Sequence, residues 1–101
     1  MIVLRRHPLV ESDIESAARY YDSKKPGLGT DFTEEVERVV GIIAIKPSRY
    51  SVRFNNWRRA NLRRFPYAIF YQLFQDGPVI FAVLYGRSDF KPLLDGREWS
   101  Q

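Results

Sequence analysis

The 101-residue chain has no cysteine, a single histidine (His7) and one methionine. Without thiols there is no disulfide framework, no thiolate nucleophile and no cysteine-based metal site, and such a composition fits a reducing, cytoplasmic compartment. One imidazole is too little for a zinc centre. The only glycine cluster, "PGLG" at residues 26–29, lacks the spacing of a P-loop or a dinucleotide fingerprint. No metal and no cofactor are expected. The apolar run in "MIVLRRHPLVESD" is too short for a signal peptide or a membrane span, and nothing later approaches about eighteen uncharged apolar residues. A membrane partner is therefore not expected, and the length suits one domain, residues 1–101, with one core.

A further absence is local. Residues 38 to 75 contain no Asp or Glu, yet carry Arg38, Lys46, Arg49, Arg53, Arg58, Arg59, Arg63 and Arg64. Residues 11 to 37 have the opposite balance, with Glu11, Asp13, Glu15, Asp22, Asp31, Glu34, Glu35 and Glu37 against Arg19, Lys24 and Lys25. The net charge of +4 is thus concentrated in the second half of the chain.

"IVLRRH", residues 2–7, is rich in branched side chains and closed by Pro8, which predicts a first strand. His7, before proline at a strand end, reads as a turn or cap residue rather than a base. In "SDIE", Ser12 is positioned to cap a helix with Glu15 reaching back, and Ile14, Ala17, Ala18 and Tyr21 follow at helical spacing. "KKPGLG" reads as a turn, after which Thr30 is expected to cap a second helix with Asp31 in its first turn. Phe32, Val36, Val39, Val40 and Ile43 form that helix's apolar face; Lys46 suits its negative end and Pro47 stops it. The two helices form a hairpin.

From residue 50 the period shifts toward two, predicting strands near 50–54, 58–65, 67–75 and 79–86, the first two either separate or continuous through a bulge. Pro66 marks a break or an edge. Pro78 lacks the amide that would close a two-residue loop onto Gln75, so the "QDGP" turn is expected to be wider than two residues. "VIFAVLY", residues 79–85, is apolar on both faces, as in a central strand covered on both sides. Residues 88–101 read as a polar tail anchored by Phe90, Leu93 and Trp99.

"NNWRRANLRRFPYAIFYQLF", residues 55–74, is the stretch that raises a functional question. On a strand, Arg59, Asn61 and Arg63 would line one face and Arg58, Ala60, Leu62 and Arg64 the other. Beside Trp57, Tyr67 and Tyr71, such cations could grip phosphates and stack bases, bind an acidic protein segment, or simply wet a solvent face. Metal-free RNA cleavage would need a proton acceptor and donor as well as cations. Arginine supplies only the last, leaving His7, Tyr67, Tyr71, Tyr85 and Asp89 as possible proton carriers.

In order and spacing, "HP" before the first helix, "AARYYDSKKPGLGTDFTEEV", "IKPSRY", "RRANLRRFPYAIFY" and "VIFAVLYGRSD" resemble the RelE/ParE superfamily of type II toxins, also called the plasmid stabilisation family. The resemblance spans nearly the whole chain. It implies an α+β fold, with an N-terminal strand and a helical hairpin packed on one face of a twisted, mainly antiparallel sheet. It also implies a toxin neutralised by a cognate antitoxin that wraps it.

Two mechanisms share this fold. In the ribonuclease branch an arginine follows the tyrosine of the third-strand motif, where this chain has Ala68 after Tyr67. Arg87 matches that branch's arginine after the last strand, but its later catalytic tyrosine has no counterpart; Leu93 lies near the place. The resemblance is therefore closer to the ParE branch, which implies an inhibitor that binds DNA gyrase without catalysis, through Arg58, Arg59, Arg63, Arg64, Arg87 and Trp57. The alternative is a RelE-like endonuclease acting on mRNA at the ribosome, with Arg87, Arg64, Lys46 and Tyr67 as its residues. A further alternative is a non-toxic homologue that binds only its antitoxin.

Overall fold

Apolar residues at helical spacing build the first layer of the molecule. The computed structural model describes residues 4–99, and residues 2–3 of the expected first strand lie outside that range. Strand β1 (Arg5–Arg6) leads into helices α1 (Val10–Lys24) and α2 (Leu28–Ile45). Strands β2 (Val52–Phe54), β3 (Trp57–Asn61), β4 (Tyr67–Phe74) and β5 (Gly77–Tyr85) follow, then a short helix α3 (Phe90–Asp95). The narrow stripe of α1 buries Val10, Ile14 and Ala17, whereas α2 buries the expected Phe32, Val36, Val39, Val40 and Ile43.

The starts of both helices differ from expectation. α1 begins before Ser12, with Leu9 as its N-cap residue and no side-chain cap there; His7 turns the chain into the helix, its Nδ1 accepting the Leu9 amide at 3.1 Å and its carbonyl the Val10 amide at 3.0 Å. Ser12 Oγ donates instead to Leu9 O at 3.0 Å. α2 begins before Thr30, directly after Gly27, whose φ of 89° turns the chain sharply between the helices. Its early amide at Gly29 donates to Asp22 Oδ1 of α1 at 2.7 Å, so a carboxylate from the neighbouring helix replaces the local cap.

The five strands form one sheet in the order β1-β5-β4-β3-β2, with β1 parallel to β5 and the remaining neighbours antiparallel. The expected α+β architecture is borne out. β2 and β3 are separate strands joined through Asn55 and Asn56, with Asn55 at φ 48°, a conformation asparagine tolerates. The β4–β5 loop is the two residues Gln75 and Asp76, not a wider turn, since Phe74 pairs with Gly77. Gly77 closes the loop, and antiparallel alternation leaves Pro78, opposite Leu73, at a position that needs no amide toward β4.

β5 is central and covered on both faces. Ile80 and Val83 join the core under the helical hairpin, while Val79, Phe81 and Ala82 join a second core with Trp57, Phe70 and Leu94. Phe81 and Ala82 share a side because the register passes from Phe70↔Ala82 to Tyr71↔Ile80, leaving Phe81 as a bulge residue. The expected polar tail is what closes the second face: α3 contributes buried Leu94, with Phe90 and Trp99 packed alongside. Leu93, expected as an anchor, is exposed.

One ion pair fastens this closing segment. Arg97 donates two hydrogen bonds to the Asp13 carboxylate, at 2.5 and 2.7 Å, and a third to Phe81 O at 2.8 Å. Asp13 Oδ2 also accepts the Val83 amide at 3.0 Å. Where the short β1 ends, these two side chains take over hydrogen bonds along the edge of β5.

Candidate binding surface

Strand β3 divides its arginines between the two faces of the sheet. Arg58 turns toward the helical side and donates to Tyr50 O at 2.7 Å. Arg59 turns to the other side, donating through Nε to Asn61 Oδ1 at 2.9 Å and through Nη2 to Gly86 O at 3.0 Å. Its guanidinium lies 5.5 Å from the Phe70 ring centre and 5.6 Å from that of Phe90. Burial, and secondarily the charge of Arg53, lower its pKa from the usual arginine value. Gly86 allows this close approach, since an added Cβ would lie 2.9 Å from Arg59 Nη2.

The expected alternation does not continue to Arg63 and Arg64, because β3 ends at Asn61. A single carboxylate holds the loop that follows. Glu35 Oε2 accepts the Arg63 amide at 2.8 Å, and the same carboxylate takes a forked pair of bonds from Arg38 at 2.9 and 3.1 Å. Glu35 is only 8% exposed. The Arg38 fork, aided by the Arg63 amide and opposed by desolvation, lowers its pKa to about 2. The side chain of Arg63 is exposed, and Arg64 lies 3.4 Å from Asp31 at the start of α2.

Other sequence candidates fall away from the surface. Trp57, expected at the binding face, is buried in the second core with its ring edge-on to Phe81 at 4.9 Å. Tyr71 is fully buried and donates to Pro47 O at 2.6 Å. Tyr67 is half-buried, with Phe32 at 5.0 Å and Tyr85 at 5.8 Å between ring centres. Burial, followed by the neighbouring Tyr20 and Tyr85, raises its pKa, the wrong direction for a general base.

Lys46 is the residue after α2, fifteen residues on from Asp31. At 1.5 Å per residue that is about 22 Å along the helix axis from Arg64's partner. Ala68 is fully buried on β4, so the place where the ribonuclease branch carries arginine faces core. Arg87 is exposed and shares a shallow cleft of about 240 Å³ with Arg59, Asn61, Tyr67 and Gly86. The structure therefore brings Arg59 and Arg87 together, keeps Arg58 and Arg64 apart from them, and leaves Lys46 distant.

Glu35 was absent from the sequence candidates. Its (i, i+3) spacing to Arg38 was legible on the helix, but its burial and its bond to a loop twenty-eight residues away were not.

Fold and surface together define a small basic α+β domain, a helical hairpin backed by a sheet, whose cations suit binding better than proton transfer. The family described as ParE toxin of type II toxin-antitoxin system, parDE, matches residues 4–90. The chain belongs to that family of type II toxins. Among solved structures, a chain of the chromosomal ParDE TA system from P. aeruginosa shares the fold, with a TM-score of 0.75 at 12% identity over 84% of this chain and 96% of that one. A comparison with curated proteins gives no match.

Proposed function

We propose that this chain is a growth inhibitor acting in the cytoplasm on DNA gyrase by binding, and that a cognate antitoxin neutralises it. The observation that carries this reading over RNA cleavage is the dispersal of the ribonuclease set. Lys46 and Arg64 lie at opposite ends of α2, and Tyr67 is shifted away from base behaviour. Three cations that do not converge cannot steady one phosphorane. Binding makes no such demand for convergence, and Arg59, Arg63 and Arg87 are the candidates that offer charge to a target.

For the antitoxin, charge complementarity favours an acidic or amphipathic segment crossing the basic sheet and an apolar helix against the hairpin. Leu9 and Tyr20 are exposed large side chains at the hairpin that suit the latter. The test is inducible expression without the antitoxin, followed by separate supercoiling and ribosome-dependent mRNA cleavage assays. Growth arrest with loss of supercoiling is the expected result. Codon-specific mRNA cuts would reject the gyrase reading, and normal growth at high expression would point to a non-toxic antitoxin-binding protein.

A further inference from the structure

Acidic partners are unevenly shared among the cations. Carboxylates pair with Arg5, Arg6, Arg38, Arg64 and Arg97. Among the described residues, no carboxylate lies within ion-pairing distance of the other eleven cations, and Arg53, Arg59, Arg87 and Lys91 are four of these. These four gather at one place on the second face of the sheet.

What gathers them is an aromatic block formed by Phe54, Phe70 and Phe90, whose ring centres are 5.4 Å (Phe54–Phe90) and 4.9 Å (Phe70–Phe90) apart. Arg59 lies over Phe70 and Phe90, and Lys91 Nζ lies 5.3 Å from the centre of Phe54. Arg53 sits at the irregularity of β2, between the pairs Val52↔Arg58 and Phe54↔Trp57, and is near enough for its charge to act on Arg59. Arg87 lines the cleft beside Arg59. The acids carried by this end are Asp89 and Asp95 at the two ends of α3, both exposed and neither within ion-pairing distance of a described cation.

We propose that this face binds the phosphodiester backbone of duplex DNA. Unneutralised cations on a folded scaffold attract a dense line of phosphates and gain by releasing its counterions. Single strands are bound chiefly by stacking their bases on free aromatic faces. Here the ring faces already carry Arg59 and Lys91, which leaves charge rather than open rings for the ligand. A duplex presents outward phosphates and needs no exposed base, so it suits the patch better than a single strand. An acidic peptide would meet the charge but lacks the fixed, continuous charge of a duplex.

The experiment is a fluorescence anisotropy titration of a labelled duplex of about 20 base pairs with purified toxin, without gyrase, across a salt series. With about four phosphates neutralised and a slope near −0.9 for each, log K should fall with log salt at about −3 to −4. The double variant Arg87→Gln/Lys91→Gln removes two exposed side chains that make no hydrogen bond among the described residues, Lys91 resting only on the Phe54 ring. It should flatten the slope by about 2 and weaken binding about sixty-fold near 0.1 M salt. The control Arg19→Gln/Lys25→Gln removes the same charge from exposed positions on or beside α1 and should leave the slope unchanged.

No binding at low salt, equal losses in the two double variants, tighter binding of single strands, or equally effective competition by polyglutamate would each overturn the proposal. Because gyrase is absent from the titration, DNA binding alongside unaltered supercoiling would reject gyrase as the target and leave this inference standing.

Discussion

Replacing Asp13 with alanine should be among the most destabilising single changes in the molecule. Asp13 and Arg97 are 11% and 10% exposed, so removal of the carboxylate strands a guanidinium with little water to take its place. It also leaves the Val83 amide without its acceptor. Orphaning one member of a buried pair costs about 3–5 kcal/mol, and an unsatisfied buried amide about 1–3 kcal/mol. The residual exposure lets some water enter, so the sum is expected at the lower end, about 4 kcal/mol. A 101-residue domain has a total stability of roughly 5–15 kcal/mol, which makes this a large share.

Arg97→Met should cost less, about 2–3 kcal/mol, because Asp13 keeps the Val83 amide while only Phe81 O and one charge are orphaned. The double variant Asp13→Leu/Arg97→Met removes both charges together, so its cost should fall at least about 1.5 kcal/mol short of the sum of the single losses, with Asp13→Leu as the other single. Urea unfolding followed by tryptophan fluorescence suits the measurement, since Trp57 and Trp99 both pack in or against the second core that Arg97 helps close. Single losses below about 1 kcal/mol, or simple additivity, would refute the idea that this pair stands in for missing strand contacts along β5.

Glu35→Gln tests the other carboxylate. Since the folded-state pKa of about 2 lies below the ordinary glutamate value, its contribution is full above pH 4.5 and is lost as pH falls toward 2. Acid titrations should therefore show wild type and variant differing at pH 7 and converging in that window; a constant gap would contradict it. Gly29→Ala should destabilise by about 1–2 kcal/mol, because the new Cβ would lie 2.4 Å from the Ala18 carbonyl oxygen and its helical gain only partly offsets the clash. Gly41→Ala meets nothing within 4 Å and should raise stability by about 0.5–1 kcal/mol, so melting temperatures must move in opposite directions. Arg59→Ala/Arg63→Ala should weaken the antitoxin complex and reduce its salt dependence in a calorimetric titration; unchanged affinity and slope would remove both the sheet face at Arg59 and the loop at Arg63 from the interface.

Much of the fold was legible because single-residue periodicity carried it. The stripe Phe32, Val36, Val39, Val40 and Ile43 is buried as read, and the two-sided apolarity of residues 79–85 follows from two separate cores. What escaped were contacts between residues distant in the chain. A cap supplied by an imaginary Ser12 box is locally plausible, but His7 reaches the Leu9 amide first. The second helix takes its acceptor from Asp22 on α1, and no local motif encodes that. The bulge at Phe81 likewise depends on two strands together, since one extra residue changes which side chains share a face.

The same limit explains the arginines. Sequence alone placed Arg58, Arg59, Arg63 and Arg64 on one continuous strand, with Arg59 and Arg63 on one face and Arg58 and Arg64 on the other, and counted all four toward the binding surface. The chain leaves the sheet at Asn61 because Glu35 holds the Arg63 amide from the helical layer. That single carboxylate turns the following loop toward α2, where Asp31 lies beside Arg64, while Arg59 remains on the opposite face among aromatic rings. Charge count in the chain therefore overstates the available surface, and the discriminating quantity is which cations lack an acid. Glu35 follows from this as a residue that shapes the binding face without belonging to it: loosening its loop would change where Arg63 and Arg64 project, leaving Arg59 and Arg87 in place.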